Sequence, residues 1–100
     1  MEKKKPHYDL TEFKRLVAAN GINAFTQTAQ EGAARMGLLP ADAVAAVLEI
    51  GRRDFFKSMT THARHDVWQD VYHVVTVSGV AYLKVTVLPG TRVVIQFKEK

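Results

Sequence analysis

The sequence predicts an α+β domain in which N-terminal helices pack on one face of a twisted antiparallel sheet. Three observations lead there. Apolar residues recur at helical spacing up to Gly51 and at strand spacing after Asp54. Gly21, Gly37 and Gly51 stand where three apolar helical stripes stop. The strand-like segments of the second half are separated by short breaks. A parallel crossover needs about a dozen residues, so these neighbours must run antiparallel. A chain of 100 residues, 47% of them hydrophobic, has material for one core and one domain, 1–100.

The first helix is announced by Tyr8-Asp9-Leu10-Thr11-Glu12-Phe13. Asp9 is placed to cap, Glu12 to reach back to the cap, and Tyr8 to pack on Phe13. Leu10, Phe13, Leu16 and Val17 form its apolar stripe, and Asn20-Gly21 ends it. Ile22–Phe25 reads as a short strand. Thr28 and Glu31 repeat the capping spacing and open a short helix carrying Ala29, Ala33 and Met36, which stops at Gly37. Pro40 fits the first turn of a third helix, with Asp42 near its positive end. Ala41, Val44, Ala45 and Leu48 form one side of that helix, and Gly51 closes it.

Four strands follow: Phe55–His62, Val67–Val77, Val80–Leu88 and Thr91–Lys98, all rich in Val, Thr, Tyr and Phe. Ser78-Gly79 and Pro89-Gly90 are the clearest turns between them. Side chains alternate along a strand. Ala81, Leu83, Val85 and Val87 therefore share a core face with Val93, Ile95 and Phe97. Tyr82, Lys84, Arg92, Gln96 and Lys98 fall on the open face. The first two strands leave their core face undecided, because each alternate set contains large apolar or aromatic residues.

Composition narrows the function. The absence of Cys removes disulfides, thiolate zinc sites and a Cys nucleophile. The basic start Met1–Pro6 has no apolar run behind it. The longest apolar run, Ala43–Leu48, is six residues, so neither a secretory signal nor a membrane span is expected, and the expected location is cytoplasmic. Net charge is +4, and the whole excess lies after residue 50, where eight basic side chains face four acidic ones. Such a half attracts a polyanion. Its open face offers cations for phosphates, a Gln for a base edge and a Tyr for stacking, as RNA-binding surfaces do, although solvated sheet faces carry the same residue types.

A metal-dependent nuclease is not expected. Two-metal chemistry needs clustered carboxylates. Asp66 and Asp70 share a strand face but stand about 13 Å apart. His62-x-x-His65 has no third ligand. Phosphate-loop, nucleotide-fold, serine-elbow and zinc-helix motifs are absent, and the charge-balanced helices argue against insertion into a DNA groove. His62, His65, His7 and His73 remain candidates for proton transfer, because histidine titrates near neutrality.

Lys57-Ser58-Met59-Thr60-Thr61, Trp68-Gln69-Asp70-Val71-Tyr72, Tyr82-Leu83-Lys84-Val85-Thr86-Val87 and Phe97-Lys98-Glu99-Lys100 resemble the MqsR toxins, as does the opening Pro6-His7-Tyr8 with Leu10 and Lys14. Those are messenger-RNA interferases of bacterial toxin–antitoxin modules. The resemblance covers essentially the whole chain, densely from residue 54 on. It implies a RelE-like fold and ribosome-independent cleavage of single-stranded mRNA at GC-containing triplets. It also implies a cognate antitoxin with a zinc-bearing domain and a helix-turn-helix domain. The family's functional lysine, glutamine and tyrosine fall on Lys57, Gln69 and Tyr82, with Met59 and Lys98 as neighbours. Lys84 and Arg92 from the open face, and His62 from the loop beside it, complete the residues expected to bind substrate. Two departures stand out: His62 replaces a usual Tyr, and Arg64 replaces an acidic residue.

RNA carries its own nucleophile, the 2′-hydroxyl, so this chemistry needs neither a metal nor another cofactor. A base takes that proton, cations offset charge growing on the phosphoryl oxygens, and an acid protonates the 5′-oxygen that leaves. Lys57 is assigned to the phosphate, Gln69 to orienting the nucleotide, and Tyr82 to donating a proton or stacking on a base. An ordinary Lys or Tyr, with pKa near 10, is a poor base at pH 7, and a basic pocket favours the role. The alternative reading is a non-catalytic module that binds RNA or antitoxin and acts in transcriptional autoregulation.

Overall fold

The computed structural model describes residues 1–89 and 92–100, the Arg92 side chain excepted. The Pro89-Gly90 turn therefore lies partly outside the described residues, and so does the open-face role of Arg92. In chain order the elements are β1 (Glu2–Lys3), α1 (Leu10–Asn20), α2 (Gln27–Arg35), α3 (Pro40–Leu48), β2 (Phe55–Thr60), β3 (Trp68–Thr76), β4 (Gly79–Leu88) and β5 (Arg92–Glu99). The five strands form one sheet in the order β1-β2-β3-β4-β5, with every pair antiparallel. The three helices cover one face. This is the α+β architecture expected, consistent with a RelE-like fold.

The core lies between the helices and that face. Phe13, Leu16 and Val17 of α1, Ala29 and Ala33 of α2, and Ala43 and Val47 of α3 meet Tyr72, Val74, Ala81, Leu83, Val85, Ile95 and Phe97 of the sheet. Each large side chain withdrawn this fully from water contributes about 1.5–3 kcal/mol. Tyr72 packs between Phe13 and Phe55, with ring centroids at 5.8 and 5.5 Å. Its hydroxyl is buried without a partner among the described residues, and burial beside Asp70 pushes its pKa up to about 12. The phenol therefore stays neutral in the core.

Local details depart from the sequence reading in instructive ways. Asp9 does cap α1, accepting from Glu12 N at 2.8 Å. The Glu12 carboxylate, however, turns to Arg15 rather than back to the cap, and Tyr8 donates to Trp68 O at 2.9 Å instead of stapling onto Phe13. Ile22–Phe25 is not a strand. Gly21–Ala24 forms a 3-10 turn, and Phe25 alone makes a parallel bridge to Ile95. The turn follows from Gly21, which sits at φ +58° and so lets the chain reverse at once. Helix α2 is capped by Thr26 rather than Thr28, through a 3.1 Å bond from Ala29 N. In α3 the buried positions are Ala43 and Val47, while Ala41 and Ala45 are exposed. With Asp42 as its one charged side chain, the helix has no polar stripe from which its orientation can be read.

Helix α2 lies very close to β5. A Cβ added at Gly32 would run into the Phe97 carbonyl oxygen. Helix propensity alone favours Ala over Gly by about 1 kcal/mol. Here the obstacle is a backbone carbonyl that cannot rotate away, so overpacking wins. Gly32→Ala should lower the melting temperature by roughly 5–10 °C. A calorimetric melt at or above the wild-type temperature would show that α2 can draw back at no cost.

Candidate active site

The face left uncovered by the helices is organised in rows across the strands. One row runs Lys57–Val71–Lys84–Gln96. The next contains His73, Tyr82 and Lys98. A third begins with Met59 and Gln69. The two strands whose faces were undecided are thereby settled. Asp70, Tyr72 and Val74 of β3 point into the core, and Gln69, Val71 and His73 point out. In β2 a bulge between Phe55 and Lys57 breaks the alternation: Phe55 turns inward with Ser58 while Lys57 turns outward, so neither alternate set is a single face. Phe55 is half-buried against the core, while Phe56 is exposed.

Lys57, Gln69 and Tyr82 thus stand on three consecutive strands of the same uncovered face, none of them in the apolar interior. Lys57 and Gln69 are diagonal neighbours, about 7–8 Å apart. From strand spacing and rise, Tyr82 lies about 12 Å from Lys57 and about 14 Å from Gln69 between Cα atoms. Long side chains close most of such gaps. Lys84, across from Val71, is the cation nearest the centre of the three. Among the described residues, neither Lys84 nor Lys98 is paired with a carboxylate. Lys57 is paired: its ammonium meets the Glu2 carboxylate at 2.5 Å and lies 5.4 Å from the Phe56 ring centroid. That pairing holds the Glu2 pKa below the usual carboxylate range.

His62 is exposed in the loop between β2 and β3. That loop is held by Thr61 Oγ1, which accepts from Arg64 N at 2.9 Å, and by an Arg64–Asp66 ion pair at 2.8 Å. Asp70, weighed above only as a metal ligand, has another task. It is buried on the covered side and accepts from His7 N (3.0 Å), Tyr8 N (2.8 Å) and Ser58 Oγ (2.6 Å). The N-terminal segment is thereby strapped to the sheet, and β1 carries Glu2 to Lys57. Lys3 extends the strap, lying 4.2 Å over the Trp68 ring and 2.8 Å from His7 Nδ1. Sequence reading missed this arrangement, because a two-residue strand has no periodicity to detect.

A second feature missed was the aromatic row beside the lysines. His73 stacks on Phe56 at 4.7 Å and meets Tyr82 edge-on at 5.2 Å. Burial, aided by Lys100, lowers its pKa, while His7 is lowered by burial and by Lys3. Both resist protonation when folded but take a proton near pH 6.5 when unfolded. Stability is therefore retained above about pH 6.5 and lost as pH falls below it toward the lowered values. Melting temperature should decline from pH 7 to pH 5. A variant with Phe at both positions should show a flatter profile over that interval, and an equally steep one would refute the assignment.

Physically the face can hold a chain of phosphates, stack a base and present an amide and a phenol, with the Glu2 carboxylate at its margin. Residues 5–99 match the model of a family described as motility quorum-sensing regulator, toxin of MqsA. The chain is also 39% identical over 100 residues to the mRNA interferase toxin MqsR of Escherichia coli (strain K12), with 100% of each chain covered.

Proposed function

Because the chain belongs to the MqsR toxin family, we propose that this toxin of a toxin–antitoxin system is a metal-independent, ribosome-independent endoribonuclease that cuts single-stranded mRNA at GC-containing triplets. The observation that carries the reading is the gathering of Lys57, Gln69 and Tyr82 around Lys84 on one uncovered face. In this reading the 2′-hydroxyl attacks the adjacent phosphorus after losing its proton to a base. The bond to the 5′-oxygen breaks, and that oxygen is protonated as it leaves. The products are a 2′,3′-cyclic phosphate and a 5′-hydroxyl. Lys57 and Lys84 offset charge on the non-bridging oxygens. Gln69 fixes the nucleotide, and Tyr82 donates a proton or hydrogen bond or stacks on a base. Met59 and Lys98 border the site. The carboxylates a two-metal mechanism would need are engaged elsewhere: Asp70 on the strap and Asp66 with Arg64.

The partner in this reading is a cognate antitoxin with a zinc-bearing domain and a helix-turn-helix domain. The test is incubation with defined single-stranded RNA in EDTA, with cut sites mapped at nucleotide resolution and end groups determined. Discrete cuts at GC-containing triplets, ending in cyclic phosphate, are expected. No cutting at any triplet overturns the reading. Salt-dependent RNA retention without cutting would instead favour a binding module.

A further inference from the structure

Toward the β4–β5 side of the open face, the start of α2 rises beside the sheet. Between them is a cavity of about 390 Å³, lined by Thr26, Thr28, Tyr82, Lys84, Gln96 and Lys98 among others. Three of these belong to the site described above. Thr26 and Thr28 have been given no role toward substrate, and Gln96 only the general one of an open-face amide; the two threonines cap and open a helix that the sequence assigns only to the core. We propose that this cavity is the subsite that selects a single nucleobase beside the cleaved bond, with Gln96 and Thr28 as the residues that determine specificity. The proposal deepens the endoribonuclease reading and rests on it.

Size comes first. Ligand pockets run from about 300 to 1,000 Å³, so this one lies at the small end, suited to one nucleotide and closed to a helical stem. Chemistry comes second. Among the described residues no carboxylate lines the cavity, and Lys84 and Lys98 offer charge for the flanking phosphates. The Tyr82 ring offers a stacking face. Gln96 is exposed, and among the described residues its amide has no intramolecular partner, so its donor and acceptor are free to meet a base edge. Thr28 is likewise exposed with its hydroxyl free among the described residues, whereas Thr26 already accepts from Ala29 N. Unpaired bases present their hydrogen-bonding edges and duplexes hide them, so the ligand is single-stranded RNA.

Register comes third. Gln96 ends the row that begins at Lys57 and passes through Val71 and Lys84. It lies about 14 Å from Lys57 between Cα atoms. A strand laid along that row places a phosphate between Lys57 and Lys84 and a neighbouring base in the cavity, with Tyr82 shared between the two.

The test compares wild type with Gln96→Ala and Thr28→Val, each checked for wild-type melting. In one arm, cut sites are mapped on random-sequence RNA. In the other, binding is measured to uncleavable 2′-O-methyl oligonucleotide pools, each fixed at one base. Wild type should prefer one base at one position beside the cut. Gln96→Ala should flatten that preference by about tenfold, cutting sites that wild type spares, and Thr28→Val should flatten it less. Unchanged preference in both variants overturns the subsite while leaving the endoribonuclease standing. If wild type binds a preferred base but cuts nothing, and Gln96→Ala abolishes that preference, the subsite stands and the chemistry falls. Equal binding of all pools by wild type sinks the subsite.

Discussion

Lys57→Ala should lower RNA cleavage by about a hundredfold or more while the protein stays folded. Removing one preorganised donor from an anionic transition state costs about 10²–10³ in rate. Lys57 is the cation at the β2 end of the central row, a diagonal neighbour of Gln69, and Lys84 cannot replace it from two strands away. Its structural share is small. The ammonium is partly exposed and its partner Glu2 lies on the sheet margin, a setting in which ion pairs contribute little to stability. A melting curve alongside the rate therefore separates chemistry from folding. Glu2→Gln supplies the contrasting arm. It removes the carboxylate that competes with a phosphate for Lys57, so cleavage should hold or rise. Near-wild-type cleavage by Lys57→Ala, with the melting temperature unchanged, would remove Lys57 from the mechanism. A loss of cleavage in Glu2→Gln equal to that in Lys57→Ala would mean that the pair acts as a structural unit.

Much of the sheet was legible because β4 and β5 alternate cleanly. Ala81, Leu83 and Val85 are wholly buried and Tyr82 and Lys84 are not, as the period of two requires. The strand bounds came within one or two residues because turn chemistry and β-branched runs agree there. β2 resisted because its bulge puts Phe55 and Lys57, two residues apart, on opposite faces, so neither alternate set is a single face. β3 resisted because its inward set includes Asp70, a residue that pattern reading sends to solvent. A carboxylate belongs inside only when donors await it, and besides the Ser58 hydroxyl its donors are the His7 and Tyr8 amides, more than sixty residues away. The candidate site was legible only as residue types on strands and through family resemblance. The cavity against α2 was not, because the approach of Thr26 and Thr28 to Gln96 is a tertiary fact with no local signal. The close passage that Gly32 permits has the same character.

The same long-range carboxylate sets the second large effect. Asp70→Ala should destabilise the fold by about 3 kcal/mol or more. Asp70 is 1% exposed and receives hydrogen bonds from two backbone N–H groups and the Ser58 hydroxyl. Truncation leaves those donors facing a small void, and an unsatisfied buried donor costs far more than a net hydrogen bond gains. At this chain length each kcal/mol moves the melting temperature by about 4–8 °C, so a fall of at least about 12 °C is expected. Asp70→Asn keeps the shape and one acceptor oxygen but turns an NH₂ toward donors, so it should fall between the two. The loss has an address as well as a size. Without the tether, residues 1–8 lose their hold on β3, and β1 depends on that hold to stay paired with Ser58 and Met59. Amide exchange at His7, Tyr8 and Ser58 should therefore quicken in Asp70→Asn before the central strands are affected. Protection lost uniformly across the sheet would show that Asp70 supports the core itself. An Asp70→Ala melt within a few degrees of wild type would show that the strap is held by Lys3, His7 and Trp68 alone.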